Sequence, residues 1–193
     1  MNKIQLAIAL TLGLALRSKP WFSRLFCTLL LALCGQWSCA DTTYETQDDF
    51  LKETFKEEVK PAVLWLDKAT QDEISKILGH AYPQARLRYW HKDTTNVWVL
   101  EEIGKEYPIT AGFVITNEHI ARAQVLVYRE TRGMEIHLPG FLAQFTNNTL
   151  KDDKLAHKVD GISGATLSVN AMVKMAQVAL TLNQKVAAQK TQP

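Results

Sequence analysis

Residues 86–128 read RLRYWHKDTTNVWVLEEIGKEYPITAGFVITNEHIARAQVLVY, and this stretch decides the fold. Two runs rich in β-branched and aromatic residues, Arg86–His91 and Val97–Ile103, flank a polar segment of the kind found in turns. Two further runs, Ile109–Thr116 and Ile120–Tyr128, flank the polar segment 117–119 in the same way. The sequence therefore predicts four strands arranged as two hairpins.

Helical patterns lie on both sides of these strands. Before them, Phe50–Val59 has apolar side chains at helical spacing, and Thr70-Gln71-Asp72-Glu73 resembles a capping box that opens a second helix ending at Gly79. After them, Leu142–Phe145 is expected to form a helical turn, and residues 167–188 carry the broad apolar face of a long helix. The polar segment 41–49 suits a tether, and the apolar run 62–66 fits a strand or a helix. Together these elements predict the α+β class: an antiparallel sheet from two hairpins, flanking helices and a long C-terminal helix.

The first 40 residues have the features of an export signal. They contain no acidic residue, carry two apolar runs, and end in the small-x-small pattern Ser38-Cys39-Ala40. We therefore expect residues 1–40 to be a signal peptide, residues 41–193 to form a single domain, and the mature protein to be periplasmic or at the outer face of the cytoplasmic membrane. An uncleaved membrane anchor is the alternative.

Removal of this leader changes the chemistry of the chain. The leader holds all three cysteines, so the remaining domain has no disulfide or thiol nucleophile. It also holds four of the 22 basic residues and none of the 20 acidic ones, which leaves residues 41–193 with a net charge of −2. The charge balance therefore gives no argument for nucleic-acid binding.

The residues that carry the most chemistry are Asp160–Ser168, which read DGISGATLS and run into the last predicted helix. A turn of small residues before a helix presents free backbone N–H groups and the positive end of the helix dipole, a good site for a phosphate. Gly164 and Ala165 leave room for a close approach. From the spacing alone, Ser163 or Thr166 serves equally well as a simple helix cap.

This string resembles the flavinylation motif of the FMN-binding domain family. That family includes the C-type subunit of the sodium-translocating NADH:quinone oxidoreductase, the G-type subunit of Rnf complexes and small exported flavoproteins. The resemblance implies that an ApbE-type flavin transferase joins FMN through its phosphate to Thr166. It also implies cofactor contacts from the neighbouring residues Asp160, Ser163, Gly164, Ala165 and Leu167.

The resemblance extends over residues 101–180. Gly104–Thr110 is similar to the family's entry to the sheet, and Tyr128–Met134 to its flavin-bordering loop, which adds Glu130 and Thr131 to the implied cofactor contacts. Leu142–Phe145 is similar to the helix that follows in the family. This chain departs from the family pattern in that loop, where it has Arg132, Met134 and Glu135.

Four more residues are candidates for contact with the isoalloxazine ring. A cation near the flavin edge favours the reduced anion, which makes Arg129 and Arg132 candidates, although either also suits the end of a strand. Trp90 and Trp98 suit stacking on the ring or packing in the core. The five histidines show no paired ligand spacing, so no metal site is expected.

The resemblance, together with the leader, favours an exported electron carrier. FMN held at Thr166 would relay electrons between a membrane donor and an extracytoplasmic acceptor. No acid–base or nucleophile constellation is visible, so no catalytic residue is expected and the chain is more an electron carrier than a stand-alone enzyme. The alternatives are a subunit of a respiratory reductase complex and a non-redox exported binding or scaffold protein.

Overall fold

The computed structural model describes residues 41–191, with side chains as far as residue 189. Six strands form one antiparallel sheet in the spatial order β1-β6-β5-β4-β3-β2. Their bounds are Thr42–Thr43 (β1), Pro61–Trp65 (β2), Arg86–Lys92 (β3), Thr95–Ile103 (β4), Pro108–Thr116 (β5) and His119–Tyr128 (β6). A separate small hairpin consists of Leu150–Lys151 (β7) and Lys154–Leu155 (β8).

The helices of the described chain are Gln47–Phe55 (α1), Lys68–Leu78 (α2), the short Pro139–Leu142 (α3) and Thr166–Thr191 (α4). Two 3₁₀ turns, Met134–His137 and Ala143–Phe145, flank α3. The predicted α+β class, the antiparallel sheet and the long C-terminal helix are confirmed. In the part of the chain that the structure describes, no helix is long and apolar enough to cross a membrane.

Both predicted hairpins form, with tighter turns than expected. Lys92 pairs with Thr95, and Thr116 pairs with His119, so each loop has only two residues. In the second loop Asn117 and Glu118 have φ values of 49° and 68°, which is the backbone of a type I′ turn. Such a turn matches the twist of the strands and fixes their register.

Two expectations before the first hairpin are wrong. Helix α2 begins at Lys68, and its N-cap is Asp67, whose carboxylate accepts the backbone N–H of Thr70 at 2.8 Å, so no capping box starts at Thr70. Residues 41–49 are not a tether: Thr42–Thr43 pairs with the end of β6, and Thr46 caps α1. The apolar run after Pro61 is a strand, and α2 ends at Gly79 as predicted. The predicted signal peptide lies outside the described residues.

The sheet has two covered faces. Helices α2 and α4 pack on one face and enclose the main core, in which Trp98 is fully buried and stacks on Tyr89 with ring centroids 4.9 Å apart. Helix α1 covers part of the other face, where Phe50 and Trp90 belong to a smaller cluster. Since successive strand residues point to opposite faces, Trp90 and Trp98 are separated by the sheet. Both tryptophans are therefore core residues, as the packing alternative predicted.

Candidate functional site

The motif before α4 forms a tight turn that is open to solvent. The backbone N–H of Ala165 donates to the carbonyl of Ile162 at 3.0 Å, and Gly164, the third residue of the turn, has a φ of 82°. This backbone suits glycine, as in a type II turn. A methyl group placed on Gly164 or on Gly161 would meet no atom within 4 Å. The turn therefore combines a glycine-specific backbone with free space beside it.

The start of α4 offers unused hydrogen-bond donors. Val169 donates to the Ala165 carbonyl at 2.9 Å, so Ala165 occupies the cap position, and Thr166, which is exposed, is the first helical residue. Among the described residues, no hydrogen bond engages the backbone N–H groups of residues 166–168 or the hydroxyl groups of Ser163 and Thr166. The interpretation of this turn as a mere helix cap is thus not supported. Free N–H groups at a helix N-terminus attract an anion.

Two side-chain amides fix the loop that leads to this turn. The Gln144 Oε1 atom accepts the backbone N–H of Asp160 at 2.7 Å. Asn148 is fully buried and bonds both backbone groups of His157, accepting its N–H at 3.0 Å and donating to its carbonyl at 2.8 Å. These contacts hold the approach to the turn while Asp160 itself stays exposed.

The second loop singled out in the sequence packs directly on the start of α4. The Tyr128 hydroxyl donates to the Arg132 carbonyl at 2.5 Å and lies 3.0 Å from the hydroxyl of Ser168. Gly133 has a φ of 88°, and a methyl group there would lie 3.0 Å from the Ser168 and Tyr128 oxygens and 3.1 Å from the Ala165 Cβ. The loop around residue 130 therefore lies against the start of α4 near residue 166. Both segments can thus contribute to a single site.

Burial affects the phenol at this junction. Burial raises the pKa of Tyr128, and the hydrogen bond with Ser168 lowers it by less, so the net shift is upward. The phenol therefore stays a neutral hydroxyl that can donate to the Arg132 carbonyl. Sequence reasoning did not identify Tyr128 or Asn148 as positioning residues; a buried amide or phenol has no periodic signal.

Glu130 holds another part of the same loop. Its Oε1 atom accepts the backbone N–H groups of Lys105, Glu106 and Tyr107 at 2.5, 2.7 and 2.9 Å. Partial burial raises the pKa of this carboxyl, but the three N–H donors lower it by more, so the pKa lies below its ordinary value. A methyl group on Gly104 would lie 2.9 Å from the same oxygen, so the carboxylate fits this turn closely. The contact of Glu130 with the cofactor, which the resemblance implies, stays a prediction.

The other cofactor candidates lie directly after the end of β6. Arg129 donates to the Pro108 carbonyl and the Thr110 hydroxyl and forms an ion pair with Asp41 at 3.1 Å, which favours the alternative of a strand-end charge. Arg132 and Thr131 are exposed in the loop. In the described chain, no three His, Cys, Asp or Glu side chains come together as a metal site.

Two apolar side chains flank the junction. Met134 follows Gly133 and is 49% exposed, and Leu167 follows Thr166 and is 50% exposed. Half-exposed apolar side chains beside an anion site suit a ligand that has a phosphate and a flat apolar ring. The turn, the helix start and these side chains together fit FMN.

The fold and the site define an α+β domain whose last helix begins with backbone N–H donors suited to a phosphate-bearing ligand. Residues 104–181 match the family described as FMN-binding domain, which agrees with the range expected from the sequence. This match indicates that the cofactor of the protein is FMN. No curated protein matches the chain.

Proposed function

We propose that this protein is an exported electron-transfer flavoprotein in which FMN is linked through a phosphoester to Thr166. One observation carries the proposal. Within an FMN-binding domain, an exposed threonine begins a helix whose first three N–H groups have no partner among the described residues. A phosphate bonded to this hydroxyl would lie where those donors and the helix dipole stabilise its negative charge.

The neighbouring residues would position the phosphate and the ring. The positive φ of Gly164 makes the tight turn that precedes Thr166, and the open space beside Gly164 would admit the phosphate. Ser163 is exposed next to the turn and offers a hydroxyl donor. Leu167 and Met134 supply apolar surface for one side of the flavin ring. Asp160, held through its backbone by Gln144, orders the loop.

Attachment requires a second protein, an ApbE-type flavin transferase. In this step the Thr166 Oγ atom forms a bond to the FMN phosphorus, its proton passes to a base on the transferase, and a leaving group departs from the same phosphorus. The donor must therefore be an FMN whose phosphate already carries a leaving group. No atom is oxidised or reduced in this step. The exposure of Thr166 and Gly164 gives the transferase access to the hydroxyl.

Bound FMN supplies reversible acceptance and release of electrons. With the proposed export signal in residues 1–40, the domain would carry those electrons between a membrane donor and an extracytoplasmic acceptor. A phosphoester bond prevents loss of the cofactor outside the cytoplasm, where a dissociated flavin would not be recovered. The remaining residues of the site bind and orient, and none of them is assigned a catalytic role.

The proposal is tested by co-expressing the full chain with a flavin transferase and running the denatured protein on a gel under ultraviolet light. We expect a fluorescent band for the wild type and for Ser163→Ala, and a dark band for Thr166→Ala. A dark wild-type band in the presence of an active transferase would rule out covalent attachment. A fluorescent Thr166→Ala band would assign the bond to another residue.

A further inference from the structure

The strand β2 forms one edge of the main sheet, and part of its backbone has no strand beside it in the described chain. The N–H of Leu66 donates to the Ala85 carbonyl at 2.9 Å, which fixes the alternation of hydrogen bonds between β2 and β3. By that alternation, the backbone groups of Val63 and Trp65 point away from β3, toward the open edge. They are available to pair with another strand.

This edge lacks the protection that exposed strands usually have. Val63 is 47% exposed and Trp65 is 65% exposed, and both side chains lie on the face of the sheet that α1 covers only in part. Natural edge strands usually carry charges, bulges or prolines that prevent pairing with other chains. Here Pro61 stands only at the start of β2, so the Val63–Trp65 segment is open to a partner.

The neighbouring strand adds positive charge on the same face. Arg88 pairs with Val63 and Arg86 with Trp65, and the Arg86 guanidinium lies 5.9 Å from the centre of the Trp65 ring. Neither arginine forms an ion pair with any described residue. A groove of about 550 Å³ includes Val63, both arginines and Trp90 in its lining, and no carboxylate lines it. This groove therefore favours an anionic occupant.

We propose that β2 is a docking edge for an extended acidic segment of a partner protein, which adds to the sheet as a seventh strand. The backbone groups of Val63 and Trp65 would pair with the incoming strand, and Arg86 and Arg88 would bind its acidic side chains. The leader of this chain does not fit this role, because residues 1–40 contain no acidic residue. A lipid surface would leave the edge N–H and C=O groups without regular partners.

The edge at β2 is separated across the sheet from the strand that contacts the flavin motif. Tyr128, which contacts the start of α4, lies at the end of β6, and the order β6-β5-β4-β3-β2 places four strand spacings between β6 and β2. At about 4.8 Å a spacing, this is roughly 19 Å across the sheet. The added strand would therefore lie away from the start of α4, and this docking edge is independent of the cofactor proposal.

The test uses the purified full chain and a dye-labelled synthetic peptide in which aspartate alternates with valine. A matched peptide replaces each aspartate with lysine. Fluorescence anisotropy at low salt is expected to show binding of the aspartate peptide about tenfold or more tighter than binding of the lysine peptide. Binding by both peptides with equal affinity, or by neither, would overturn the proposal.

Two variants separate the contributions of charge and backbone. The double variant Arg86→Ala/Arg88→Ala changes exposed side chains, and Val63→Pro removes an edge-directed N–H, a substitution that edge strands tolerate. Each is expected to weaken binding of the aspartate peptide about tenfold, with an unchanged circular dichroism spectrum. Lys76→Ala, an exposed change on α2, is the matched control and should bind as the wild type does.

Unchanged affinity in both variants would contradict docking at β2.

Phosphatidylglycerol vesicles test whether the edge binds lipid instead of a peptide strand. If the vesicles displace the aspartate peptide from the wild type and bind the Val63→Pro variant equally well, the edge is a lipid-binding surface and the proposal is wrong. If they do not displace the peptide, strand addition is supported.

Discussion

The contact between the Gly133 loop and the start of α4 leaves no room for an added methyl group. Gly133 has a φ of 88°, and an alanine Cβ there would lie 3.0 Å from both the Ser168 and Tyr128 oxygens and 3.1 Å from the Ala165 Cβ. The left-handed backbone costs alanine about 1–2 kcal/mol. Overpacking of a buried contact costs about 1–3 kcal/mol more. We therefore expect Gly133→Ala to lower the free energy of unfolding by about 2–5 kcal/mol.

Urea unfolding followed by circular dichroism measures this loss, and Gly161→Ala is the matched control. Gly161 lies in the loop before α4, has no positive φ, and would place its methyl group in open space. Its unfolding free energy should stay within about 0.5 kcal/mol of the wild type. If Gly133→Ala unfolds at the same urea concentration as Gly161→Ala, the close packing of the two segments is wrong. In the folded population, Gly133→Ala should also accept less flavin than Gly161→Ala does.

Three further predictions concern the fold and its pH dependence. A methyl group on Gly112 would overlap the Phe50 ring, so Gly112→Ala should lower the unfolding free energy by about 1–3 kcal/mol in urea titrations. A neutral result would contradict the packing of α1 on the sheet. The pKa of Glu130 lies below its ordinary 4.5 in the folded state, so its stabilisation is present above pH 4.5 and is lost as pH falls through the lowered value. Glu130→Gln should therefore flatten the acid side of the stability profile, and an unchanged acid limb would refute this. The hydrogen bond that His80 donates to the Glu102 carboxylate raises the pKa of His80 above 6.5, so the stabilisation is complete below pH 6.5 and is lost as pH rises through the raised value. Thermal melts of His80→Gln at pH 6 and pH 8.5 should differ less than those of the wild type, and equal differences would exclude the ion pair.

The strongest periodic signals in the sequence predicted the sheet correctly. Alternating apolar residues placed β3 to β6 within one or two residues of their bounds, because both hairpins carry polar turn residues between long strands. The strand Thr42–Thr43 was missed, since two residues give no periodicity and its pairing with β6 is a tertiary contact. The cap at Asp67 was missed because Thr70 fits the capping-box spacing equally well, and only the backbone geometry distinguishes them.

The candidate site, too, has one part that could be predicted from the sequence and another part that could not. The turn at Gly164 and the helix start at Thr166 follow from local sequence, and the structure places them where the motif indicates. The partners that hold them do not follow from local sequence. Tyr128 and Asn148 act through contacts between segments distant in the chain, and Glu130 bonds a turn that no spacing rule connects to it. Such pairings depend on the packed sheet and become visible only in three dimensions.

The position of the flavin bond is measured most directly by mass spectrometry of the trypsin-digested protein after co-expression with a flavin transferase. Thr166 falls in the peptide 159–174, which begins after Lys158 and ends at Lys174. We predict that this peptide gains the mass of FMN less one water and that fragmentation places the gain on Thr166. An unmodified peptide from a culture with active transferase, or a gain on Ser163 or Ser168, would contradict attachment at Thr166.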